Sequence, residues 1–480
     1  MGTVKESALM IRDYMSRKAD RTIADLLDIT SHPSVRSEAA PGAPFGPDCA
    51  ACLSYCAGLF ASEGFRTELY PDSGYALSWF RDPVPGEEYV GVFCHSDVVP
   101  VDPGEWIVCP PFEPVERDGV LFGRGISDNK SSIAITLNLF RGLRELGINP
   151  KRNIMAFIGS NEESGMADIR AFGKEQRLPA VSIVPDSSFP VSLGERGVCR
   201  VDIISEKSDD VISLSGGAAY NTVLGILGCV LRDKPGLREY LEERGGDCLS
   251  VTGSDDGTLG FTVRGVPSHA GHPERGDSAL RRLSFLLRDC PFISENDRRL
   301  FSVIASDLGD VRGEAIGIAA YDETLGWLSV ANGIVKIDES GKILYTLDIR
   351  YGPKPGLAAV KKQLDEIYSK RGWTVRGVRG SDALVIPTDD PTAVRLIALY
   401  RELTGNETAK PYYMTGGTYA KYLPNAFATG VSRGEFRAAL GLPEGHGRAH
   451  EADECLGVSA YAEGAGILAA MIVSEAENDA

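Results

Sequence analysis

Histidine and acidic residues stand in this chain where predicted strands end or predicted helices begin. The segments that carry them read "YVGVFCHSDVVPV", "GRGISDNK", "FIGSNEESG", "VSIVPDSS" and "GRAHEADE". The residues with reactive side chains in these segments are His95, Asp97, Asp128, Glu162, Glu163, Asp186 and His450. Imidazole and carboxylate groups together are suited to Zn²⁺, or to Mn²⁺ and Co²⁺. Five such ligands, with one carboxylate shared, are enough for two adjacent metal ions.

Each of these positions also has a structural explanation, and the residues alone leave it open. Ser160 and Glu163 fit an S-x-x-E capping box at a strand-to-helix turn. Asp128 is a favourable helix N-cap, and Asp186 follows Pro185 as turn residues often do. The chain has only six histidines, however, and two of them fall beside carboxylates in these segments. The set as a whole therefore favours a metal centre.

The elements that must position these side chains follow an α/β pattern. Helices are predicted near residues 5–29 and 48–64, and "SDNKSSIAITLNLFRGLRELG" places apolar residues at helical spacing. "YVGVFC", "NIMAFIGS" and "VSIVPD" are typical of buried strands. Strands that alternate with helices indicate a mixed, largely parallel sheet covered by helices. Ligands of such sheets gather beyond the carboxyl ends of the strands, where these side chains fall.

The pattern changes near residue 190 and returns near residue 387. In between, short strand candidates mix with helical stretches such as 278–288 and 356–370, and "LYTLDIRY" alternates as a half-buried strand does. We therefore expect a catalytic domain in two parts, 1–189 and 387–480, with an inserted α+β domain over 190–386. "DPTAVRLIALYRELTG" and "SAYAEGAGILAAMIVSEAE" are predicted helices of the second part.

The composition limits the classes of partner. Sixty-seven acidic residues against fifty basic ones give a formal net charge of −17, which repels nucleic acid and anionic membranes. The ten cysteines stand at irregular spacing, with one C-x-x-C pair at Cys49 and Cys52, and we expect buried or incidental thiols in a reducing compartment. The first residues lack the apolar core of a signal peptide, and no segment reaches the ~18 apolar residues of a membrane span. These features predict a cytoplasmic protein.

In order and spacing, "HSDVVPV", "GRGISDNK", "NEESG", "PDSSFP" and "HEADE" resemble a known family. It is the co-catalytic zinc amidohydrolase family of acetylornithine deacetylase, succinyl-diaminopimelate desuccinylase, aminoacylase and carboxypeptidase G. The stretches "APFGPDCAACL", "PFEPVERDGVLFGRG", "DSSFPVSLGERG" and "GGTYAK" resemble its peptidase V dipeptidase branch most. The resemblance covers nearly the whole chain.

The resemblance implies a role for each candidate residue. One metal would be held by His95, Asp128 and Asp186, and the other by Asp128, Glu163 and His450, with Asp128 bridging the two. Asp97 would orient the His95 imidazole, and Glu162 would be the general base that takes a proton from the attacking water. His446 competes with His450, but only His450 begins the H-x-x-x-E pattern of the family, which closes at Glu454.

The inserted domain resembles the family's lid and offers residues for substrate binding. "GVPSHAGHPERGDSA" implies that His269 stabilises the oxyanion, and "GGAAYNTV" implies a similar role for Asn221. Arg350 in "LDIRYGP" has the planar fork that suits a substrate carboxylate. A polar turn and a surface strand residue are the structural alternatives. The chain departs from the branch at Asn129 and Ser131, where Asp and Gly are usual, and at His272.

The resemblance thus predicts a metallo-dipeptidase with two divalent metal ions, Zn²⁺ or else Mn²⁺ or Co²⁺. Its substrates would be dipeptides with a free C-terminal carboxylate. An N-deacylase of acylated amino acids with the same chemistry is the alternative, and a non-catalytic relative is a third. The large lid favours a monomer over a dimer. Neither nucleic acid nor a membrane is expected as a partner.

Overall fold

The structure is a computed structural model that describes residues 6–255, 257–433 and 440–478. It divides into two compact units. The first runs up to Leu193 and includes Ile386–Tyr412 and the chain from Thr418 onward. The second comprises Gly194–Val385 and Tyr413–Gly417. The sequence pattern did not indicate that Tyr413–Gly417 joins the second unit.

The helices of the described residues are α1 (Glu6–Arg17), α2 (Ala19–Thr30), α3 (Pro47–Ser62), α4 (Lys130–Leu146), α5 (Ala167–Glu175), α6 (Leu237–Gly245), α7 (Ala279–Leu287), α8 (Glu295–Asp307), α9 (Leu357–Lys370), α10 (Pro391–Thr404) and α11 (Val458–Glu477). The single helix expected over 5–29 is interrupted at Lys18, whose φ of −108° and ψ of 20° are not helical.

The strands are β1 (Arg66–Tyr70), β2 (Tyr75–Trp79), β3 (Tyr89–His95), β4 (Val115–Arg117), β5 (Val120–Phe122), β6 (Asn153–Gly159), β7 (Val181–Ser187), β8 (Ser192–Glu195), β9 (Gly197–Lys207), β10 (Val211–Gly216), β11 (Ile226–Arg232), β12 (Leu249–Asp255), β13 (Thr258–Arg264), β14 (Tyr321–Asp322), β15 (Gly326–Trp327), β16 (Ser329–Ala331), β17 (Val335–Ile337), β18 (Lys342–Tyr351), β19 (Thr374–Ser381), β20 (Leu384–Val385), β21 (Tyr412–Met414), β22 (Ala426–Gly430) and β23 (Cys455–Gly457).

A six-stranded sheet of order β1-β2-β6-β3-β7-β22 forms the centre of the first unit. The pairs β6–β3, β3–β7 and β7–β22 are parallel, whereas β1–β2 and β2–β6 are antiparallel. Every residue of β3 and of β6 is buried, as expected of strands covered on both faces. The predicted mixed, largely parallel sheet is confirmed.

A nine-stranded sheet forms the framework of the second unit. Its order is β12-β13-β11-β10-β17-β18-β9-β19, with β16 paired to β18. One large apolar core includes residues of this sheet and of α6, α7, α8 and α9. The sequence pattern of β18 indicated a half-buried strand, but nine of its ten residues, all except Lys342, are buried. The strand is flanked by β9 and β17 and packs against the core. The alternation of polar and apolar residues in its sequence therefore did not predict which of its residues are exposed.

No helix among residues 6–255, 257–433 and 440–478 is both long enough and apolar enough to cross a membrane.

Candidate metal centre

The carboxyl ends of three neighbouring strands form the floor of the candidate site in the first unit. His95 is the last residue of β3 and pairs in parallel with Gly159, the last residue of β6. Asp186 lies near the end of β7 on the other side of β3. Glu162 and Glu163 follow β6 directly, in the turn before α5. Strand order therefore brings together residues that are up to 91 positions apart, since 186 − 95 = 91.

A small antiparallel sheet brings the remaining two candidates to the same place. β23 pairs with β5 in a register that sets Cys455 opposite Phe122. Asp128 follows β5 and His450 precedes β23, so this pairing joins the two segments across more than 300 residues. The expected N-cap role of Asp128 is not seen, because Asn129 holds the N-cap position of α4.

Asp128 lies between the two imidazoles, with one carboxylate oxygen toward each. Its Oδ1 is 3.1 Å from His95 Nε2, and its Oδ2 is 3.1 Å from His450 Nε2. His450 Nε2 is also 3.1 Å from Glu163 Oε2, and His95 Nε2 is 3.8 Å from Asp186 Oδ1. His95, Asp128, Glu163 and His450 would thus be among the residues that hold divalent metal ions at this site.

Ligand atoms of two groups converge closely enough for metal coordination. His95, Asp128 and Glu163 form one group, and His95, Glu162 and Asp186 form the other, with the ligand atoms of each within 4.8 Å of one another. Geometry alone therefore admits Glu162 as a ligand as well as a base. His446 belongs to neither group, and its Nδ1 is 2.6 Å from Asp453 Oδ2.

Two buried oxygens in the site need a partner. Oε1 of Glu162 and Oε1 of Glu163 have no hydrogen-bond partner among the residues that the structure describes. A buried acceptor left in this state costs about 1–3 kcal/mol, and more when it is charged. Cations bound between these oxygens and the imidazoles would remove that cost, so the residues present fit a pair of divalent ions.

Crowding of acidic groups shifts the protonation of the metal-free site. Burial and the charge of Asp186 raise the pKa of Glu162 well above its usual value. Burial and the charge of Asp128 raise the pKa of Asp186 to about 7. Burial acts to lower the pKa of His450, but hydrogen bonds with Asp128 and Glu163 outweigh it and raise that pKa to about 11. The site thus attracts positive charge, which protons supply when metal ions do not.

Asp97 contacts the site differently from the expectation. His95 Nδ1 lies 2.9 Å from the backbone oxygen of Asp97 and 3.6 Å from its carboxylate, which is too far for a hydrogen bond. The carboxylate instead accepts hydrogen bonds from the backbone N–H groups of Glu162 and Glu163, at 3.0 and 3.1 Å. The carbonyl fixes the imidazole, and the side chain fixes the turn that carries both glutamates.

Asp168 supports the other half of the same turn and was not singled out by the sequence. Its Oδ2 accepts from the N–H groups of Ser160 and Asn161 and from the Tyr419 hydroxyl, at 2.8, 2.9 and 2.6 Å. The capping box of Ser160 and Glu163 is absent, because Ser160 Oγ donates to Gly74 O and Glu163 faces His450. Only the position of Asp168 at the start of α5 could have drawn attention to it.

The three substrate-binding candidates lie in the second unit. The Asn221 carbonyl accepts from Ala270 N at 2.9 Å, which sets Asn221 beside the segment of His269. Arg350 is 3% exposed, and its Nε and Nη2 donate to Asp348 at 2.5 and 3.1 Å. Its Nη1 donates to Thr415 O at 3.3 Å. The bidentate edge of Arg350 is thus taken by Asp348, and only further N–H groups on Nη1 and Nη2 are left for a substrate.

The fold and the site together indicate a two-unit α/β protein with a candidate metal centre of carboxylates and histidines. Residues 91–474 match the model of peptidase family M20/M25/M40, and the chain belongs to this family. The resemblance read from the motifs is therefore confirmed. Membership makes the chain a peptide hydrolase and implies that it uses divalent metal ions.

Related sequences extend over most of the chain. A Staphylococcus saprophyticus protein named "Putative dipeptidase" is 27% identical over 450 residues, which are 88% of this chain and 92% of that protein. A Staphylococcus aureus protein of the same name is 26% identical over 447 residues, with the same coverage of 88% and 92%.

Solved structures show the same fold. Human carnosine dipeptidase 1 matches 98% of this chain and 100% of its own, with a TM-score of 0.58 at 17% identity. The dipeptidase Dug1p of Saccharomyces cerevisiae matches 98% of this chain and 99% of its own, with a TM-score of 0.59 at 15% identity.

Proposed function

We propose that this protein is a two-metal dipeptidase that hydrolyses dipeptides with a free C-terminal carboxylate. One observation carries the metal part of the proposal: the two oxygens of Asp128 each lie 3.1 Å from a different imidazole. The names of the staphylococcal relatives and of the two solved dipeptidases support the substrate class.

The ligands divide between two ions in this proposal. His95, Asp128 and Asp186 hold one, and Asp128, Glu163 and His450 hold the other. Bound divalent ions would polarise the substrate carbonyl and lower the pKa of water. Zn²⁺ suits this mixed set, and Mn²⁺ or Co²⁺ would fit the same groups.

Glu162 is the general base in this proposal. The residue is 8% exposed, its buried Oε1 has no partner within the described residues, and it stands next to the proposed ligand Glu163. Burial and the charge of Asp186 raise its pKa well above the usual value. That pKa would fall again beside bound cations, and the carboxylate could then accept a proton from water and pass it to the leaving amine.

Substrate contacts are assigned to the second unit. Asn221 and His269 are proposed to donate to the oxygen of the scissile amide, where negative charge develops. Arg350 is proposed to hold the substrate carboxylate through N–H groups that Asp348 does not use. The second unit is large enough to supply these substrate contacts without a second copy of the chain. We therefore propose that the protein acts as a monomer.

Hydrolysis of matched peptides tests the proposal. The metal-loaded full chain is assayed with a dipeptide of two L-residues and with the N-acetylated form of that dipeptide, beside Glu162→Gln and Glu163→Gln. We expect the free dipeptide to be the better substrate and Glu162→Gln to lower kcat by about 10²–10⁴ while metal content stays at the wild-type level. Glu163→Gln should lose metal instead. Turnover of the acetylated form alone would identify an N-deacylase, and full activity of Glu162→Gln would refute its role as the base.

A further inference from the structure

Glu454 lies at the centre of the loop that carries Asp128. Its Oε2 accepts from Arg124 Nη1 and Gly125 N at 2.8 and 3.0 Å. Its Oε1 accepts from Ser127 N and Asp128 N at 2.8 and 3.0 Å. The side chain is fully buried, so no water competes for these four donors. One carboxylate therefore fixes the backbone of the loop up to and including Asp128.

The same residue is tied to the segment of His450. Glu454 follows His450 by four positions, and its own carbonyl accepts from Gly123 N at 3.1 Å. The intervening chain bends sharply, because His450 and Asp453 have positive φ angles of 69° and 50°. Asp453 is itself buried and accepts from Ile107 N and Val108 N at 3.0 and 2.9 Å. The buried carboxylates of Asp453 and Glu454 therefore fix the path of the chain that follows His450.

Glu454 links the backbones of two of the proposed ligands, in addition to the direct contact of 3.1 Å between Asp128 Oδ2 and His450 Nε2. Asp128 N binds the Glu454 carboxylate, and His450 is four residues away along the chain. By contrast, His95 and Asp186 stand on paired strands of the central sheet. A change at Glu454 therefore acts on the Asp128, Glu163 and His450 group far more than on the strand ends.

We infer that Glu454 is a positioning residue which sets the affinity of the metal site formed by Asp128, Glu163 and His450. Glu454 is not one of the proposed ligands, and it acts by fixing the backbone of Asp128 relative to the segment of His450. The inference rests on the proposed function, because that proposal supplies the ligand set. Partners that orient metal ligands usually change affinity by about 10–100-fold when they are lost.

Glu454→Gln tests the inference directly, because it keeps the shape of the side chain and disrupts its hydrogen bonds. A Gln side chain offers one oxygen and one NH₂ group, so one pair of donors, on Arg124 and Gly125 or on Ser127 and Asp128, would face another donor. Glu475→Gln is the matched control: Glu475 is also fully buried and accepts from Arg395 Nε and Nη2 at 3.0 and 2.7 Å. Its partners Arg395 and Asn478 are not residues of the candidate site.

The experiment is a Zn²⁺ titration of the metal-stripped full chain in competition with a chromophoric chelator. Melting temperatures with and without metal are measured on the same samples. We expect two ions in the wild type and in Glu475→Gln. In Glu454→Gln the ion held by Asp128, Glu163 and His450 should bind about 10–100-fold more weakly, and the other ion, whose ligands include Asp128 but not His450, should lose less affinity. High Zn²⁺ should restore the second ion, and the double variant with His450→Ala should lose no further site.

The outcomes separate the inference from the proposed function. A wild-type chain that binds fewer than two ions overturns the proposed function and the inference with it. Two ions in the wild type and unchanged affinities in Glu454→Gln overturn the inference alone, as does an equal loss at both sites. Glu454→Asp keeps the charge and serves if the Gln variant does not fold. If both variants fail to fold even with metal, Glu454 supports only stability, and the inference is wrong.

Discussion

His95 and His450 lie at the same distance from Asp128, yet the chain supports them in opposite ways. His95 ends a fully buried strand, and its side chain is 1% exposed. His450 lies in a loop with a positive φ of 69°, and its side chain is 46% exposed. The first imidazole owes its place to sheet pairing, and the second to buried carboxylates nearby. The two imidazoles are thus equally far from Asp128, but different structural elements hold them in place.

Removal of each imidazole is the strongest way to test this comparison. Both His95→Ala and His450→Ala should weaken the binding of an ion by more than about 100-fold, because each deletes a proposed ligand. Only His95→Ala removes a buried side chain, so it should also lower the free energy of unfolding of the metal-free chain by about 2 kcal/mol or more. Urea unfolding of the metal-free variants measures the difference. Equal losses of stability would show that the loop supports its imidazole as firmly as the strand does.

The pH dependence of metal binding gives a second test, in which the expected effect is smaller. The pKa of His450 is raised to about 11 in the metal-free site, so the imidazole carries a proton at pH 7. A metal ion takes the neutral imidazole, so binding releases that proton and affinity should fall by about tenfold per unit as the pH falls. Calorimetric titrations in two buffers of different ionisation enthalpy count the protons. His450→Ala should release one proton fewer than the wild type, and an unchanged count would contradict this assignment.

The smallest expected effect concerns the turn that carries both glutamates. Tyr419→Phe removes the hydroxyl that donates to Asp168 and should cost about 1 kcal/mol of stability. It should also lower kcat several-fold, because Asp168 holds the N–H groups before Glu162. Tyr345→Phe is the matched control, since its buried hydroxyl donates to Asp307 in the second unit at 2.7 Å. We expect it to lose similar stability without a change in kcat, measured with a saturating dipeptide.

The sequence predicted the framework and the residue set because both depend on local order. Buried apolar strands followed by acidic residues and histidine indicated the strand ends, and the ordered motifs indicated the family, which is confirmed. The roles of His95, Asp128, Glu162, Glu163, Asp186 and His450 stay predictions. The structure groups His95 with Asp128 and Glu163 and also with Glu162 and Asp186, which differs from the predicted ligand sets.

The supporting contacts could not be predicted, because they join residues that are distant along the chain. Asp97 was expected to hold an imidazole, but its carboxylate accepts from two amides 65 and 66 positions away. Glu454 appeared only as the end of a pattern, and its four donors lie more than 320 positions earlier. Arg350 has the expected planar fork, but Asp348, two residues before it, takes the bidentate edge. Residue types and spacing do not specify which partner a buried side chain meets.

The long separation of the ligands has a consequence during synthesis of the chain. Asp186 and His450 are 264 positions apart, since 450 − 186 = 264. At about 5–20 residues per second, a ribosome needs roughly 13–53 s to cover that stretch. The strand ends can fold in this interval, whereas the last proposed ligand has not yet been made. A nascent chain would therefore acquire the two proposed ions in sequence and become a competent peptidase only after His450 has been synthesised.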